Sequence, residues 1–145
     1  MERQIEGIKD VIINSFSFLE KEFAFSLEVD EIADSIFEEE IIIRYTNEIL
    51  RRKISVTATL GINDDVQTYS IGLVIVRLPY TGIRDLFVLS DFVKSKGESI
   101  SVNFTFEFDL NKVKQEIEAL AKALINHAEE IVKGNLWLET FYPRW

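Results

Sequence analysis

Hydrophobic and polar residues alternate along two neighbouring stretches that lie between residues 37 and 60. The first begins at Phe37 and ends at Tyr45, the second covers Ile54–Leu60, and a polar break at Thr46–Glu48 separates them. Alternation of this kind places one face of a strand against a core and the other towards water. The two stretches therefore predict an antiparallel hairpin around which the rest of the chain is organised.

Other segments with a strand pattern lie on both sides of this hairpin. Phe23–Val29 and Ile100–Phe108 alternate with period two, whereas Tyr69–Val76 is apolar on both faces in its middle, which predicts a central strand covered on both sides. Asp30–Ser35 fits either a turn or a brief helical twist. The turn-forming residues Gly61–Asp65 predict a connection between strands.

Helical periodicity marks the two ends of the chain. Residues 2–22 carry apolar side chains at spacings of three and four, and a longer helix is predicted from a cap at Asp109 or Asn111 to a left-handed cap at Gly134. A short helix is expected after Ser90. Residues 1–145 thus predict a single α+β domain, in which N-terminal and C-terminal amphipathic helices pack on an antiparallel sheet of four to five strands in two layers.

Composition excludes several classes of site. The chain contains no cysteine, so disulfides, cysteine-ligated zinc and thiol nucleophiles are excluded. The first ten residues mix charged and apolar side chains, unlike a secretory signal, and the longest apolar run, Ile71–Val76, is too short to span a bilayer. We therefore expect a cytoplasmic protein.

The net charge of −9 is concentrated in the first third of the chain. Residues 1–48 hold 13 Asp and Glu but 4 Lys and Arg, whereas the remainder is balanced. Acidity disfavours nucleic acids and anionic membranes and favours a basic protein partner, although acidic proteins are also common for reasons of solubility. The candidate partner-binding residues are Glu31, Asp34, Glu38, Glu39 and Glu40. A site for a hard cation is not predicted, because these carboxylates lack the fixed spacing of a calcium loop. The alternative to a partner-binding surface is a solvated acidic edge.

The aromatic C-terminal segment adds two further candidates. Trp137 and Trp145 belong to a stretch that either folds back to close the sheet or exposes an apolar anchor for a partner or a homodimer. No catalytic, metal-binding or cofactor-binding residue is predicted, since the sequence lacks the corresponding motifs. A non-enzymatic protein is therefore expected.

Some isolated polar residues have two interpretations each. His127, the only histidine, has Glu130 three residues on, but a partly buried histidine on a helix face is commoner than a general base. The basic run Arg51–Lys53 fits a solvated strand start better than a phosphate site. Arg77, Arg84 and Asp85 flank the turn Pro79–Gly82, where they are close enough in sequence to pair with each other. A ligand pocket between the sheet and the helices, lined by Phe and Tyr, is an alternative function.

The chain closes its last helix with Ile131-Val132-Lys133-Gly134-Asn135-Leu136-Trp137 after an N-terminal helix and a strand meander. In this it resembles small uncharacterised bacterial α+β proteins, some of them immunity-protein-like neighbours of secreted toxins. That resemblance implies a protein inhibitor and supplies no catalytic residues. Type III secretion chaperones are also similar in size, acidity and layout, but they carry less strand before their middle helix.

Overall fold

In the part of the chain that the structure describes, five strands form one antiparallel sheet, and every strand lies beside its neighbour in sequence. The computed structural model describes residues 4–34, 38–63, 66–95, 97 and 109–137. Its elements, in chain order, are α1 (Gln4–Ser15), α2 (Ser17–Lys21), β1 (Ser26–Asp34), β2 (Glu38–Asn47), β3 (Arg52–Asn63), β4 (Val66–Arg77), a 3₁₀ turn (Ile83–Asp85), β5 (Leu86–Val88), α3 (Leu89–Ser95) and α4 (Leu110–Val132). The fold class is therefore α+β, as the periodicity predicts.

The hairpin β2–β3 is confirmed, and β3 is the middle strand of the sheet. Tyr45 lies opposite Ile54 and Ile43 opposite Val56, and all four side chains are fully buried. The residues between them along each strand are partly exposed. One face of the hairpin thus contributes its side chains to the core, because side chains alternate between the two faces of a sheet.

Two predicted turns are wrong in part, because both contain strand. Asp30–Asp34 completes β1 and pairs with β2, although its acidic residues disfavour strand on propensity. Likewise Gly61–Asn63 completes β3 and pairs with β4, whereas residues 64 and 65 lie outside the described residues. Ladder hydrogen bonds to a neighbouring strand outweigh the turn preference of single residues in both places.

The prediction that β4 is covered on both faces holds only near the end of the strand. Tyr69, Ile71, Leu73 and Ile75 are buried on the core face, and Val76 on the other face is buried as well, whereas Val74 on that face is only partly buried. Small β-branched side chains suit either face of a strand, so an apolar run does not by itself show double coverage.

The helices cover one face of the sheet and make the fold two-layered. α1 packs on β2, β3 and α4, and it buries Ile5, Ile8 and Ile12 completely. The predicted single helix over 2–22 is interrupted at Phe16, whose backbone leaves the helical range before α2 begins. Phe16 is itself fully buried beside Tyr45, with 6.2 Å between ring centroids, so the break serves the core.

Both predicted caps of α4 are confirmed. The carboxylate of Asp109 accepts a hydrogen bond from the Asn111 amide at 2.9 Å. Gly134 has φ +82°, its amide donates to the carbonyl of Ile131, and the amide of Asn135 donates to that of Glu130. This is the Schellman arrangement that ends a helix with a left-handed residue. The predicted strand Ile100–Phe108 lies outside the described residues.

Candidate functional site

The acidic candidates gather at one end of the sheet, at the start of β2. The register sets Asp34 opposite Glu39, Glu40 opposite Thr59, and Glu38 opposite Gly61. Glu31 lies further along β1, opposite Ile41. The backbone therefore unites residues of two strands into one acidic end, which is defined here as Glu31, Asp34 and Glu38–Glu40. Glu39 and Glu40 are partly exposed.

The nearest basic residue of the hairpin already has an acidic partner. Arg44 of β2 forms an ion pair with Asp30 of β1. Both residues lie between the acidic end and the turn that joins β2 to β3, so this pair neutralises charge in the middle of the strand. The carboxylates of Glu39 and Glu40 lie beyond it.

The opposite end of the same hairpin is basic. Its turn carries Arg51, exposed and with φ +60°, and β3 then opens with Arg52. Since β2 is 10 residues long, the two ends of the hairpin are separated by about 30 Å. The basic end is defined here as Arg51, Arg52, Arg77 and Lys133.

Arg52 is the most buried charged residue of this end, with 4% of its surface exposed. Its Nε donates to the carbonyl of Ile131 at 2.7 Å, and its Nη2 donates to that of Leu136 at 3.0 Å. The guanidinium therefore ties β3 to the end of α4, where free carbonyls and the helix dipole favour a cation. Burial lowers the pKa of Arg52 from its usual value, and the charges of Arg77 and Arg51 lower it further.

Trp137 folds back onto this end of the sheet. Its ring lies 5.4 Å from that of Phe87, between centroids, and its Nε1 donates to the carbonyl of Arg84 at 2.8 Å. The guanidinium carbons of Arg52 and Arg77 lie 4.8 and 5.1 Å from the ring centroid. Trp137 thus holds two arginines through cation–π contacts. Trp145, the other aromatic candidate, lies outside the described residues.

Asp85 neutralises one of the arginines. It is buried, and it accepts hydrogen bonds from Arg77 Nε at 2.8 Å, from the Thr81 amide at 2.9 Å and from Thr81 Oγ1 at 2.5 Å. The Thr81 hydroxyl, the Thr81 amide and the Arg77 guanidinium lower the pKa of Asp85 to about 2. The expected pairing of Arg77 with Asp85 is confirmed.

A cavity of about 440 Å³ lies among these residues. It opens between the hairpin turn, the end of β4 and the segment that follows α4. Its lining residues are Ile49, Leu50, Arg51, Arg52, Arg77, Lys133, Gly134, Asn135, Leu136 and Trp137. All four residues of the basic end therefore line one cavity in a protein whose net charge is −9.

The larger cavity, of about 830 Å³, is a groove between α1 and α4, lined by residues such as Val11, Phe18 and Ile125. The pocket expected between the sheet and the helices had Phe and Tyr in its lining. Tyr45 and Tyr69 are instead buried in the core with 0% and 1% of their surface exposed. The groove therefore differs from the expected pocket in place and in lining.

His127 is partly buried on α4, which is the position expected of a histidine on a helix face. The Glu130 carboxylate accepts a hydrogen bond from Asn135 Nδ2 at 2.8 Å. Among the residues described, no group of three or more histidine, cysteine or acidic side chains is arranged to hold a metal ion.

Comparison with known proteins gives no match to a family model, to a curated protein or to a solved structure. Within the described ranges, no helix is long and apolar enough to cross a membrane. The site must therefore be interpreted from its own geometry.

Arg52 is the residue that sequence reasoning missed. The run Arg51–Lys53 was expected to be a solvated strand start, yet Arg52 lies on the core face of β3. The alternation of the strand contained this information, because Arg52 precedes Ile54 by two positions and therefore shares its face.

Proposed function

We propose that this protein is a non-enzymatic, cytoplasmic protein-binding module whose acidic end binds a basic surface of another protein. The observation that supports this role most is the register of β1 and β2, which brings acidic residues of both strands to one end of the sheet. Clustered charge of one sign accelerates encounter with a partner of the opposite sign and discriminates against other partners.

The kind of partner follows from the same charge. A second copy of this chain would present the same carboxylates, so repulsion disfavours a homodimer through the acidic end. Nucleic acids and anionic membranes are disfavoured for the same reason. A basic protein is therefore the partner that this charge favours. More specifically, we propose that the protein is an immunity-protein-like inhibitor that binds a basic toxin.

Capture of a partner by the tagged protein tests this role. Glu38→Gln, Glu39→Gln and Glu40→Gln together remove three charges from the acidic end. The matched control removes three charges from exposed positions elsewhere, at Glu22, Asp91 and Glu118. Both variants have the same net charge, so a difference between them reports on position alone.

We expect the wild type and the control to capture the same basic partner, and the acidic-end variant to capture at least about tenfold less. That factor corresponds to the loss of about 1.4 kcal/mol of binding free energy. Capture by the wild type should also fall as salt rises from 50 to 300 mM, because salt screens exposed charges. Equal capture by the two variants would contradict the proposal.

A further inference from the structure

The basic end contains more positive charge than its carboxylates neutralise. Arg77 pairs with Asp85, and Lys133 Nζ lies 3.2 Å from a carboxylate oxygen of Glu129. Arg51 and Arg52 have only carbonyl oxygens as hydrogen-bond partners within the part of the chain that the structure describes. Counting only the described residues, two positive charges beside this cavity have no carboxylate partner, and one of them is almost fully buried.

A buried charge without a counter-ion is costly unless hydrogen bonds or an ion compensate for it. Carbonyls and the α4 dipole favour the charge of Arg52, but no carboxylate of the described residues forms an ion pair with it, and the nearby charges of Arg77 and Arg51 oppose it. We propose that the cavity at the basic end binds a phosphate group, either as the free ion or as part of a small phosphorylated molecule.

The geometry of the cavity fits such an ion. The carbonyls of Ile131 and Leu136 and the ring of Trp137 hold the Arg52 guanidinium in one position. Its charge is therefore in place before an anion binds. Arg51 is held through its Nε, which donates to the carbonyl of Leu78 at 2.8 Å. Its two terminal nitrogens make no hydrogen bond to any residue in the described ranges. They are the donors that we assign to the phosphate oxygens, because the guanidinium fork matches that group.

The size and charge of the molecule limit the ligand further. A cavity of about 440 Å³ falls in the range of small-molecule sites and exceeds the need of a single ion. Nucleic acid, by contrast, would extend over a surface whose overall charge of −9 repels it. A small phosphate-bearing molecule therefore fits better than a polymer.

This site lies about 30 Å from the acidic end, so it does not rest on the proposed function. A failure to capture a protein partner would not contradict the phosphate site. Likewise, a failure to bind phosphate would not contradict the role proposed for the acidic end. The two inferences therefore need separate experiments.

Tryptophan fluorescence provides a direct measurement of binding. Trp145 is replaced by Phe, so that emission comes from Trp137, the other tryptophan of the chain. Inorganic phosphate and O-phosphoserine are titrated at constant ionic strength, with chloride as the control anion. Because Trp137 contacts Arg52 and Arg77, an ion that binds beside these arginines should change its emission saturably.

Charge variants locate the response. Arg51→Gln should weaken phosphate binding about tenfold, the equivalent of one charge-assisted hydrogen bond, and Arg51→Glu should abolish it. Lys112→Gln is the matched control, since Lys112 is exposed in the first turn of α4, at the other end of that helix. Arg51 is exposed, so its variants should retain the fold, which circular dichroism checks.

Tighter binding of O-phosphoserine would identify an esterified phosphate as the ligand, and tighter binding of inorganic phosphate would identify the free ion. Either result supports the site. A response that does not saturate, that chloride reproduces, or that Lys112→Gln weakens as much as Arg51→Gln would overturn it.

Discussion

The two ends of the hairpin β2–β3 carry opposite charges and use them in different ways. At the basic end, Arg52 and Arg77 are bound to carbonyls, to a carboxylate and to the face of Trp137. At the acidic end, Glu39 and Glu40 lie partly exposed at the start of a strand. Charges at the first end hold elements together, whereas Glu39 and Glu40 at the second end are partly open to solvent.

Charge clusters of similar size therefore need not have similar roles. Removal of a buried, hydrogen-bonded charge leaves its partners unsatisfied, whereas removal of an exposed charge changes little. Stability measurements therefore distinguish charges that stabilise the fold from charges that contribute little to it.

Arg52→Gln should have the largest effect on stability. The shorter side chain cannot reach both Ile131 and Leu136, so their carbonyls lose the charged donor, and we expect a loss of about 3 kcal/mol in the free energy of unfolding. Urea unfolding followed by circular dichroism measures this loss. Arg51→Gln is the control and should cost less than about 1 kcal/mol, since Arg51 is exposed. Equal losses of unfolding free energy in the two variants would show that the hydrogen bonds of Arg52 do not stabilise the contact between β3 and α4.

Gly134→Ala should have the next largest effect, because it disturbs the same contact between α4 and the hairpin turn. A Cβ atom at Gly134 would lie 2.8 Å from the Leu50 carbonyl oxygen, and its φ of +82° disfavours any side chain. We expect a loss of about 2 kcal/mol in unfolding free energy. Gly72→Ala, where a Cβ atom meets nothing within 4 Å, should instead be neutral or slightly stabilising. Similar losses of unfolding free energy at Gly134 and Gly72 would contradict the close approach of Gly134 to the Leu50 carbonyl.

Asp85 should make the stability of the basic end depend on acid pH. Its folded pKa of about 2 lies below the ordinary value near 4, so the unfolded chain binds a proton more readily between these values. The stability that Asp85 contributes is therefore complete above about pH 4 and is lost as the pH falls through about 2.

Urea midpoints at pH 5 and pH 2.5 test this dependence. Asp85→Asn should be less stable than the wild type at pH 5, and the difference should shrink at pH 2.5. Asp91→Asn, at an exposed position, is the control. A difference that is the same at both pH values would mean that the carboxylate charge of Asp85 does not contribute.

The smallest effect is expected at the acidic end. The triple change of Glu38, Glu39 and Glu40 to Gln should alter the free energy of unfolding by no more than about 0.5 kcal/mol, because partly exposed charges such as those of Glu39 and Glu40 contribute little. The same urea measurement applies. A loss as large as that of Arg52→Gln would place these carboxylates among the residues that build the fold.

The fold was largely predictable from periodicity, because burial of one face imposes it directly. Ile41, Ile43 and Tyr45 alternate with more polar residues, and all three are buried. Strand ends were less predictable. The end of β1 is acidic and lies at an edge of the sheet, where charged residues are tolerated and the alternation that marks a half-buried strand is weak.

The two ends differ in how much the sequence revealed about them. The acidic candidates, Asp34 among them, are visible in the sequence, and the register added only that residues of two strands meet at one end of the sheet. The basic end joins Arg52, Arg77 and Lys133 from three elements that are distant in sequence. Such a site depends on tertiary packing, so composition and spacing could not reveal it. Only the burial of Arg52 was predictable, because Arg52 lies two positions before Ile54 and therefore on the same face of β3.

Chemical-shift mapping by NMR tests the separation of the two ends most directly. The ¹⁵N-labelled protein is titrated at low salt with a lysine-rich peptide and, in a separate sample, with inorganic phosphate. We predict that the peptide shifts the amides of Glu39 and Glu40, whereas phosphate shifts those of Arg51 and Gly134. Shifts by both probes at the same end, or peptide shifts spread evenly over the protein, would contradict the account.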